Sequence, residues 1–303
     1  MPEGPEVETI RRGLELGIVG QTIVSVEVLY EKSFQAPPEV IQKIVVGAVV
    51  AKVMRRAKVL LIELDRGYTL MFHLKMTGQM VLVKAGGERF AGGHPSESMA
   101  STLPDRSSKV IFRFGTGDHL FFNDFRKFGW VKLVPTAEVE LDSLIARLSP
   151  DIHSPEFTLA YLAGKLTRHS RAPVKGVILD QAVAGGIGNI YADESLHLAR
   201  IHPARLAGSL TPTETKRLHA AIISIISLGI EHGGTSFSRY VNALGGKGDY
   251  LDHARVFRRD GEACKVCGAL IIKIRVAGRG THYCPKCQKP ATALSKTINV
   301  VRN

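Results

Sequence analysis

Cysteine and long apolar runs are scarce in this chain of 303 residues, and each scarcity excludes a class of protein. The four cysteines all lie between residues 264 and 287, too clustered for the disulfide framework of a small secreted domain. The longest apolar run, near residues 220–230, is too short to cross a bilayer. Glu3, Glu6 and Glu8 stand where a signal peptide would carry its basic and apolar segments. We therefore expect a cytoplasmic protein that has no membrane partner.

Acidic residues are few relative to basic ones. The chain has 40 Lys and Arg against 28 Asp and Glu, which gives a net charge of +12. The excess is concentrated near the C-terminal end, where residues 253–303 hold 11 Lys and Arg against Asp260 and Glu262. Such a basic module indicates a polyanionic partner, with nucleic acid favoured over a membrane surface.

The hydrophobic pattern changes twice along the chain and predicts an α+β protein of several domains. Pro5 favours the start of a helix in which Val7, Ile10 and Leu14 form one apolar stripe. Short alternating runs separated by turn residues then predict a β-sandwich. The predicted strands cover residues 22–29, 45–54, 59–65, 69–74, 80–84, 109–114, 119–122 and 131–134. Residues 85–108, rich in Gly, Ser and Pro, are predicted to interrupt these strands as a long loop.

Helical signals replace the strand signals after residue 135. Proline and capping residues predict helix starts at Ser154, Pro173 and Thr211, and a further helix is predicted over residues 190–200. The glycines within residues 236–250 predict a flexible loop. The predicted domains are residues 1–135, 136–252 and 253–303.

The spacing of the cysteines predicts a metal site. The pairs Cys264-x-x-Cys267 and Cys284-x-x-Cys287 are separated by sixteen residues. Two such knuckles joined by a β-hairpin suit one tetrahedral zinc ion with no open coordination position, so the zinc would be structural. An iron–sulfur or redox site is the alternative for the same four thiolates.

Pro2 and Glu3 form a candidate reactive pair at the start of the chain. Removal of Met1, which a small second residue permits, would convert the Pro2 nitrogen into a secondary amine. An amine attacks a carbonyl-like carbon, and Glu3 beside it would shuttle protons. The alternative is a processed terminus ahead of a helix, with no chemical role.

Two further patterns suit contacts with a nucleic-acid backbone. The glycine turn at residues 185–189 opens a helix, where backbone N–H groups and the Asn189 side chain bind phosphate. Arg279 lies between Gly278 and Gly280, which lets the backbone come close to a phosphate. A plain connector and a solvated basic face are the respective alternatives. No predicted strand precedes the glycine turn, so a Rossmann or P-loop site is excluded and no nucleotide cofactor is expected.

Cations alternate with apolar residues in three segments, residues 55–58, 73–76 and 124–128. This alternation suits a protein that grips a nucleic-acid backbone with its cations and pushes apolar wedges between bases. Core packing is the alternative for Met76 and Phe128, and solvent exposure is the alternative for the charges.

Together these segments resemble the formamidopyrimidine-DNA glycosylase family of bacterial enzymes. The likeness covers essentially the whole chain in order and is carried by residues 2–9, 55–58, 73–78, 126–129, 186–192 and the four cysteines. It implies an N-terminal helix and β-sandwich, a helical domain with a helix-two-turn-helix motif, and a β-hairpin zinc finger. It also implies damaged double-stranded DNA as the partner, one structural Zn²⁺, a monomer, and a location at the bacterial nucleoid.

The resemblance implies a bifunctional glycosylase and AP lyase that removes 8-oxoguanine and formamidopyrimidines in base excision repair. Pro2 would attack the sugar C1′, Glu3 would be the general acid and base, and β,δ-elimination would cut the strand. Lys58 and Arg279 would complete the catalytic centre by holding phosphates. The other implied site residues are the DNA contacts His73, Asn189, Arg126 and Lys175, the void-filling Met76, Arg126 and Phe128, and the capping-loop residues Ser238, Arg239 and Tyr240.

Departures from the family pattern keep two other functions open. Gly4 is shared with the sister endonuclease VIII branch, which removes oxidised pyrimidines, whereas the Arg126-x-Phe128 pair is typical of the purine branch. Lys75 adds a charge to the segment that carries the apolar wedge. We therefore expect oxidised purines as substrates, with a pyrimidine-lesion glycosylase and a non-catalytic binder of DNA lesions as alternatives.

Overall fold

The chain forms two compact units in a computed structural model that describes residues 1–94, 101–235 and 248–290. The first unit comprises Met1–Ala146 and Ile230–Tyr250, and the second comprises Arg147–Gly229 and the chain from Leu251 onward. The predicted domain boundaries differ from these units in three ways. The cysteine-bearing segment shares a unit with the helices, and both residues 136–146 and Ile230–Tyr250, predicted as helical-domain chain, belong to the first unit.

The first helix, Gly4–Ile18 (α1), begins at a capping box. Glu3 is its N-cap residue, and the side chains of Glu3 and Glu6 each accept a hydrogen bond from the backbone of the other. The predicted apolar stripe of Val7, Ile10 and Leu14 is fully buried. The helix therefore buries one face against the strands that follow it.

Ten strands of the first unit form two five-stranded sheets. The strands are Ile23–Val28 (β1), Phe34–Gln35 (β2), Val50–Arg56 (β3), Val59–Leu64 (β4), Tyr68–His73 (β5), Gly78–Val83 (β6), Arg89–Gly93 (β7), Ser108–Phe114 (β8), His119–Asp124 (β9) and Trp130–Pro135 (β10). One sheet has the order β1-β8-β9-β6-β7 and the other has the order β2-β10-β5-β4-β3. Helix α1 packs against β3 and β7, which are the terminal strands of the two sheets. The predicted β-sandwich is confirmed, and α1 covers one of its open edges.

The core of the sandwich lies between the inward faces of the two sheets. Phe72 packs edge-on against Phe112 and Phe122 with ring centroids 5.9 Å apart in both pairs. All three rings belong to one buried cluster that also includes the apolar stripe of α1. Burial of these aromatic and aliphatic side chains stabilises the sandwich.

Two loops cross from one sheet to the other side by side. The first, residues 74–77, joins β5 to β6, and the second, residues 125–129, joins β9 to β10. Strand β6 pairs with β9 so that Gly78 lies opposite Asp124, and β5 pairs with β10 so that His73 lies opposite Trp130. The two sheet ladders therefore bring both crossing loops to the same place on the sandwich.

Helices follow in the next part of the chain. They are Leu159–Arg168 (α3), Val174–Leu179 (α4), Asn189–Leu198 (α5), Pro212–Glu231 (α6) and Tyr250–His253 (α7), after the earlier helix Pro38–Ile44 (α2). The predicted capping box at the start of α6 is present, because Thr211 and Glu214 exchange hydrogen bonds between side chain and backbone. The strands Ile272–Val276 (β11) and Arg279–Tyr283 (β12) then form an antiparallel hairpin.

Three predicted elements differ from the structure. The interval 45–54, predicted as strand, contains the end of the turn after α2, and strand β3 begins only at Val50. The interval 85–108, predicted as loop, contains β7. Helix α3 begins at Leu159, because Thr158 rather than Ser154 supplies the capping hydroxyl. Among the described residues, no helix has the length and apolar character needed to span a membrane.

Candidate active site

Pro2 and Glu3 lie buried at the start of α1. The exposed fraction of Glu3 is 4%, and its N–H donates to Glu6 Oε2 at 2.8 Å. The Glu3 carboxylate in turn accepts from the first turn of α1, where the positive end of the helix dipole stabilises it. The capping box therefore fixes a carboxylate one residue from the Pro2 nitrogen.

Glu6 also binds the segment that leaves α6. Its Oε1 accepts hydrogen bonds from the N–H and the hydroxyl of Thr235, at 2.8 Å and 3.1 Å. Glu6 thus joins the start of α1 to the chain just before residue 236, a connection that sequence reasoning missed. The three-residue spacing of Glu3 and Glu6 indicates the capping box, but no local pattern indicates a contact between residues 229 positions apart. The predicted capping-loop residues 238–240 lie outside the described residues.

His94 lies close to the N-terminal amine. Burial and the positive charge of that amine lower the pKa of His94, against the opposing effect of the Asp124 carboxylate. Its ring is therefore neutral at pH 7. His94 follows β7 in the segment predicted as a loop, so nothing in the sequence pattern placed it beside the terminus.

Lys58 lies on the tight turn between β3 and β4, where its exposed fraction is 7%. The turn needs a left-handed backbone at Ala57, whose φ is 50°. Arg55 supports this turn, because its guanidinium donates to Ala57 O at 2.9 Å and to Glu8 Oε2 at 3.1 Å. The Arg55 side chain therefore fixes the Lys58 turn to α1.

Glu8 remains a carboxylate within this connection. Burial by itself would raise the pKa of Glu8, but hydrogen bonds from Arg11 and Arg12 and the charge of Arg55 lower it overall. The Glu8 carboxylate accepts from Arg12 Nε at 2.9 Å and from Arg11 Nε at 3.1 Å. Three arginines thus converge on one acidic residue of α1, which makes the ion pairs a network rather than an isolated surface bridge.

His73 ends β5 and is held in one tautomer. Its Nδ1 accepts a hydrogen bond from the Lys75 N–H at 3.1 Å, so in the neutral ring Nε2 carries the proton and is a donor. Burial, together with the charges of Lys75 and Lys58, lowers the pKa of His73 to about 3. His73 therefore presents a neutral N–H near the Lys58 ammonium.

Met76, Arg126 and Phe128 lie on the two crossing loops. Their side chains are exposed, with exposed fractions of 39% for Met76 and 56% for Phe128. The Arg126 guanidinium lies over the Phe128 ring, 5.0 Å from its centroid. Exposed large apolar side chains beside a cation suit insertion into a base stack. The core-packing alternative for Met76 and Phe128 is wrong.

In the second unit, Asn189 is the first residue of α5. Its Nδ2 donates to Gly280 O at 2.9 Å, so the hairpin orients the amide. The N–H groups of Gly185 and Gly186 donate to side chains of the same unit, at 2.6 Å and 3.0 Å. Since these two N–H groups are engaged within the protein, the phosphate contact predicted for the glycine turn is assigned to Asn189 and the first turn of α5 alone.

Lys175 is fully buried, which corrects the expectation that its ammonium contacts DNA. Its Nζ lies 2.6 Å from Asp193 Oδ1 and donates to Thr281 Oγ1 at 2.7 Å and to Gly280 O at 3.2 Å. A buried ammonium of this kind is held by its buried carboxylate partner. Lys175 therefore fastens β12 to α5 and supports the strand that carries Arg279.

Arg279 opens β12 and is exposed. A two-residue turn precedes it, with φ of 50° at Ala277 and 74° at Gly278, as a type I′ hairpin requires. Strand alternation turns Ile274 and Val276 inward and leaves Lys273 and Arg275 exposed on the other face of β11. Arg279 pairs with Val276, so it lies on the opposite face from Arg275, at the exposed end of the hairpin next to the turn.

The four cysteines form a zinc site. Their sulfur atoms all lie within 4.8 Å of one another. Sγ of Cys264 is 4.0 Å from Sγ of Cys287, and Sγ of Cys267 is 3.4 Å from Sγ of Cys284. A tetrahedral zinc ion with bonds of about 2.3 Å separates its sulfur ligands by about 3.8 Å, so the cluster fits that ion.

Helix α5 anchors the cysteine-bearing segment from outside the metal site. The Glu194 carboxylate accepts from three consecutive N–H groups, those of residues 255–257, at 2.8 Å to 2.9 Å. His197 Nε2 lies 3.6 Å from Cys264 Sγ, and Gln288 connects Cys284 N–H to the chain after α5. Such supporting side chains orient metal ligands. Sequence reasoning missed them, because a buried polar residue has no pattern of its own until its partners are placed.

Three family models match the chain in order. They are the formamidopyrimidine-DNA glycosylase N-terminal domain over residues 1–131, the formamidopyrimidine-DNA glycosylase H2TH domain over residues 148–241, and a zinc finger found in FPG and IleRS over residues 261–290.

Similar proteins span nearly the full chain. A formamidopyrimidine-DNA glycosylase of Pelotomaculum thermopropionicum is 41% identical over 95% of this chain and 99% of its own length. One from Thermosynechococcus vestitus is 40% identical over 98% of this chain and 100% of its own. A Lactococcus lactis FPG variant bound to Fapy-dG-containing DNA superposes with a TM-score of 0.84 at 34% identity, over 95% of this chain and 100% of that chain. The Lactococcus lactis Fpg bound to DNA containing an abasic site has a TM-score of 0.83 at 33% identity, with the same coverage.

Proposed function

Because the chain belongs to the formamidopyrimidine-DNA glycosylase family, we propose that it excises oxidised purines from duplex DNA and then cuts the damaged strand. The observation that carries the proposal is the buried Pro2-Glu3 start of α1, in which a capping box holds the carboxylate. The Fapy-dG and abasic-site DNA bound by the Lactococcus lactis relative support the same class of substrate. The enzyme is a DNA glycosylase of base excision repair with AP lyase activity.

The Pro2 nitrogen is the nucleophile once Met1 is removed. A terminal α-amine titrates near about 8, so a neutral fraction exists at pH 7. The nitrogen attacks the sugar C1′, the bond from C1′ to the base breaks, and the base leaves with the bonding electrons and takes up a proton. The Pro2 nitrogen then loses its proton, and as the C1′–O4′ bond opens O4′ takes up a proton, which leaves a cationic Schiff base (an iminium ion) between Pro2 and C1′.

Strand cleavage follows from that Schiff base. The cationic nitrogen acidifies C2′, so loss of a proton there expels the 3′-phosphate by β-elimination. A further proton loss at C4′ expels the 5′-phosphate by δ-elimination. Water finally hydrolyses the imine and returns the free amine. Glu3 exchanges the protons in these steps, and the capping box keeps it within one residue of the nitrogen.

Four side chains with different donors hold the phosphates around the lesion. Lys58 and Arg279 supply positive charge, and Asn189 supplies an amide N–H. His73 supplies a neutral N–H from Nε2, because its Nδ1 is engaged by Lys75. None of these phosphate contacts depends on sequence, and those of the two cations weaken as salt rises.

Met76, Arg126 and Phe128 fill the space that the extruded base leaves. Extrusion costs a few kcal/mol of unstacking, which inserted side chains and contacts to bent DNA offset. The exposed Phe128 ring and the Arg126 guanidinium stacked on it suit this insertion. Arg126 faces the base opposite the lesion and donates to it.

Oxidised pyrimidines are a second candidate substrate, and Gly4 is the feature that favours them. Gly4 is buried in the first turn of α1, beside Glu3. The Arg126-x-Phe128 pair on the crossing loop favours purines. Comparison of 8-oxoguanine release with thymine glycol release by the same preparation separates the two. A higher kcat/KM for thymine glycol would assign the enzyme to the pyrimidine class.

The proposed setting is the bacterial cytoplasm at the nucleoid, where the chain acts as a monomer. One extruded nucleotide requires one Pro2, and a net charge of +12 suits a chain that works on DNA.

Borohydride trapping tests the proposal. Processed protein is incubated with a duplex that contains 8-oxoguanine opposite cytosine, and borohydride reduces the Schiff base to a stable adduct. We expect a covalent protein–DNA complex and strand nicking for the native chain. Pro2→Gly should reduce the adduct strongly. Tight binding to abasic-site DNA with no adduct and no nicking would instead identify a non-catalytic lesion binder.

A further inference from the structure

Asp124 is a buried carboxylate placed where the two crossing loops meet. It is the last residue of β9, and its exposed fraction is 0%. Its position opposite Gly78 in the β6–β9 ladder puts it directly beneath both residues 74–77 and residues 125–129. No role in the proposed chemistry requires it.

The Asp124 carboxylate accepts hydrogen bonds from both loops. Oδ1 accepts from the Thr77 hydroxyl on the first loop and from the Arg126 N–H at 3.2 Å on the second. Oδ2 accepts from the Gly129 N–H at 2.6 Å. One carboxylate therefore contacts the residue after Met76 and both ends of the segment that carries Phe128.

The Thr77 hydroxyl links the two loops directly. Its Oγ1 donates to Asp124 and also accepts from the Arg126 N–H at 3.0 Å. Thr77 adjoins Met76, and its hydroxyl bonds the main chain of the residue that carries the stacked guanidinium. A single side-chain oxygen thus connects the apolar wedge to Arg126.

The backbone of both loops is shaped for this contact. Lys75 and Lys127 adopt left-handed conformations, with φ of 50° and 61°. A Cβ on Gly129 would lie 3.1 Å from Asp124 Oδ2 and 2.8 Å from the Phe122 ring, so only glycine lets the main chain come this close. Each loop therefore has a fixed path over the carboxylate.

Hydrogen bonds to a buried carboxylate are stronger than neutral ones and are costly to lose. Without the Asp124 carboxylate, the hydrogen bonds that fix residues 74–77 relative to residues 125–129 would be lost. Insertion into a base stack requires the apolar wedge and the guanidinium to enter together, since each fills part of one gap.

We propose that Asp124, acting through Thr77, is a positioning residue that couples the Met76 loop to the Arg126–Phe128 loop so that they enter DNA as one wedge. The inference rests on the proposed glycosylase function. It predicts that discrimination between bases opposite the lesion depends on the Asp124–Thr77 contact, because Arg126 is the side chain that faces that base.

The test uses Thr77→Val, which keeps the shape of the side chain and removes its hydroxyl. Thr77→Ser is the matched variant that keeps the hydroxyl. The measurements are kcat/KM for 8-oxoguanine opposite cytosine and opposite adenine, with the thermal midpoint of each variant. We expect Thr77→Val to lower kcat/KM on the better duplex about tenfold. The ratio of kcat/KM between the two duplexes should move closer to one by a similar factor. Thr77→Ser should stay within about twofold of the native chain.

A double-variant comparison separates positioning from simple destabilisation. In a chain that already carries Met76→Ala and Arg126→Ala, the Thr77→Val change should cause no further loss, because the two side chains that the Thr77 hydroxyl connects are absent. Asp124→Asn, which keeps the shape but weakens the acceptor, should reproduce the Thr77→Val pattern in both backgrounds.

The outcomes are distinct. An unchanged opposite-base ratio in Thr77→Val, or an equal loss in the chain without Met76 and Arg126, would overturn the inference. If Thr77→Val does not fold, Asp124→Asn decides between the same two outcomes. A native chain with no excision of either duplex would refute the proposed function itself, which the native control detects before any variant is compared.

Discussion

At the residue scale, the carboxylates in the first turns of α1 have different partners and so different tasks. Glu3 accepts from the first turn of its own helix and lies beside Pro2. Glu6 binds Glu3 N–H and Thr235, and Glu8 binds the arginine that supports the Lys58 turn. The start of α1 thus holds the Pro2 nitrogen and the Glu3 carboxylate together, and through Glu8 and Arg55 it also supports the turn that carries Lys58. The helix dipole stabilises all three negative charges.

The lowered pKa of His73 predicts a pH-dependent loss of stability. The ring has a pKa of about 3 in the folded chain and titrates near 6.5 when unfolded. Between these values the unfolded chain binds one more proton, so the free energy of unfolding rises with pH and this contribution is complete above 6.5. Between pH 7.5 and pH 5.5 the free energy of unfolding of the native chain should fall by about 1.4 kcal/mol more than that of His73→Asn.

Urea unfolding at the two pH values measures this difference. Both proteins are compared at the same ionic strength, so that other titrating groups contribute equally. Equal losses in the native chain and in His73→Asn would mean that His73 titrates in the folded chain as it does in the unfolded chain, which contradicts its lowered pKa.

The Arg279 contact predicts a change in the salt dependence of binding. Arg279→Ala should weaken binding to damaged and undamaged duplexes alike and reduce the slope of log K against log salt by about one ion. Fluorescence anisotropy at several salt concentrations provides the slope. An altered preference for damaged DNA with an unaltered slope would show that Arg279 reads the lesion and does not hold a phosphate.

At the element scale, short turns carry the proposed contacts and longer elements hold the turns. The β3–β4 turn carries Lys58, the β11–β12 turn precedes Arg279, and the crossing loops carry the wedge residues. Each turn is fixed by a side chain from a neighbouring element, as Arg55 fixes Ala57 and Asp124 fixes Thr77. Reactive groups on such supported turns need little reorganisation when DNA binds.

Replacement of the Arg55 guanidinium by an ammonium tests this support. In Arg55→Lys one nitrogen replaces the two separate nitrogens that reach Glu8 Oε2 and Ala57 O, so the Lys58 turn should shift and the rate of Schiff-base formation should fall about tenfold. Arg56→Lys is the matched control on the same strand, because Arg56 pairs with exposed Glu140 at 3.5 Å and such pairs contribute little. Single-turnover borohydride trapping measures both rates. Equal rates for the two variants would remove Arg55 from the site.

Much of this arrangement is predictable from local sequence, and the parts that were missed have either a misleading local pattern or partners far away in the sequence. The cysteine knuckles, the α6 capping box and the apolar stripe of α1 depend on residues close in sequence, so spacing alone predicts them. Lys175 was misassigned because burial against Asp193 is a tertiary fact that no local pattern records. Strand β7 was missed because glycines 92 and 93 end it and mimic a loop. Asp124 was passed over because its partners come from two different loops.

At the scale of the whole molecule, the proposed chemistry is divided between the two units. The first carries Pro2, Glu3, Lys58, His73 and the wedge loops, and the second carries Asn189, Arg279 and the zinc site. The second unit contains no candidate nucleophile among the predicted site residues. Its part is to hold DNA, for which the basic cysteine-bearing segment is suited.

Removal of zinc should therefore affect the units unequally. Without the ion the four thiolates repel one another and the hairpin loses its closure, so binding to DNA should be abolished. The anchor on α5 should loosen as well, since Glu194 and Gln288 bind the same segment. The β-sandwich has its own core and should stay folded.

Chelation followed by limited proteolysis and anisotropy checks this expectation. New cleavage sites should lie in the second unit, and added zinc should restore both protection and DNA binding. Retained binding after complete removal of zinc would contradict the role assigned to the finger.

Formation of the covalent bond between Pro2 and the sugar is the step on which the other assignments depend. Protein with Met1 removed is trapped by borohydride on a duplex with 8-oxoguanine opposite cytosine, digested with nuclease and protease, and analysed by peptide mass spectrometry. We predict that the peptide beginning at Pro2 carries the mass of the reduced sugar remnant and that chain retaining Met1 yields no adduct. An adduct on a lysine such as Lys58, or an adduct formed equally by chain that retains Met1, would contradict the mechanism.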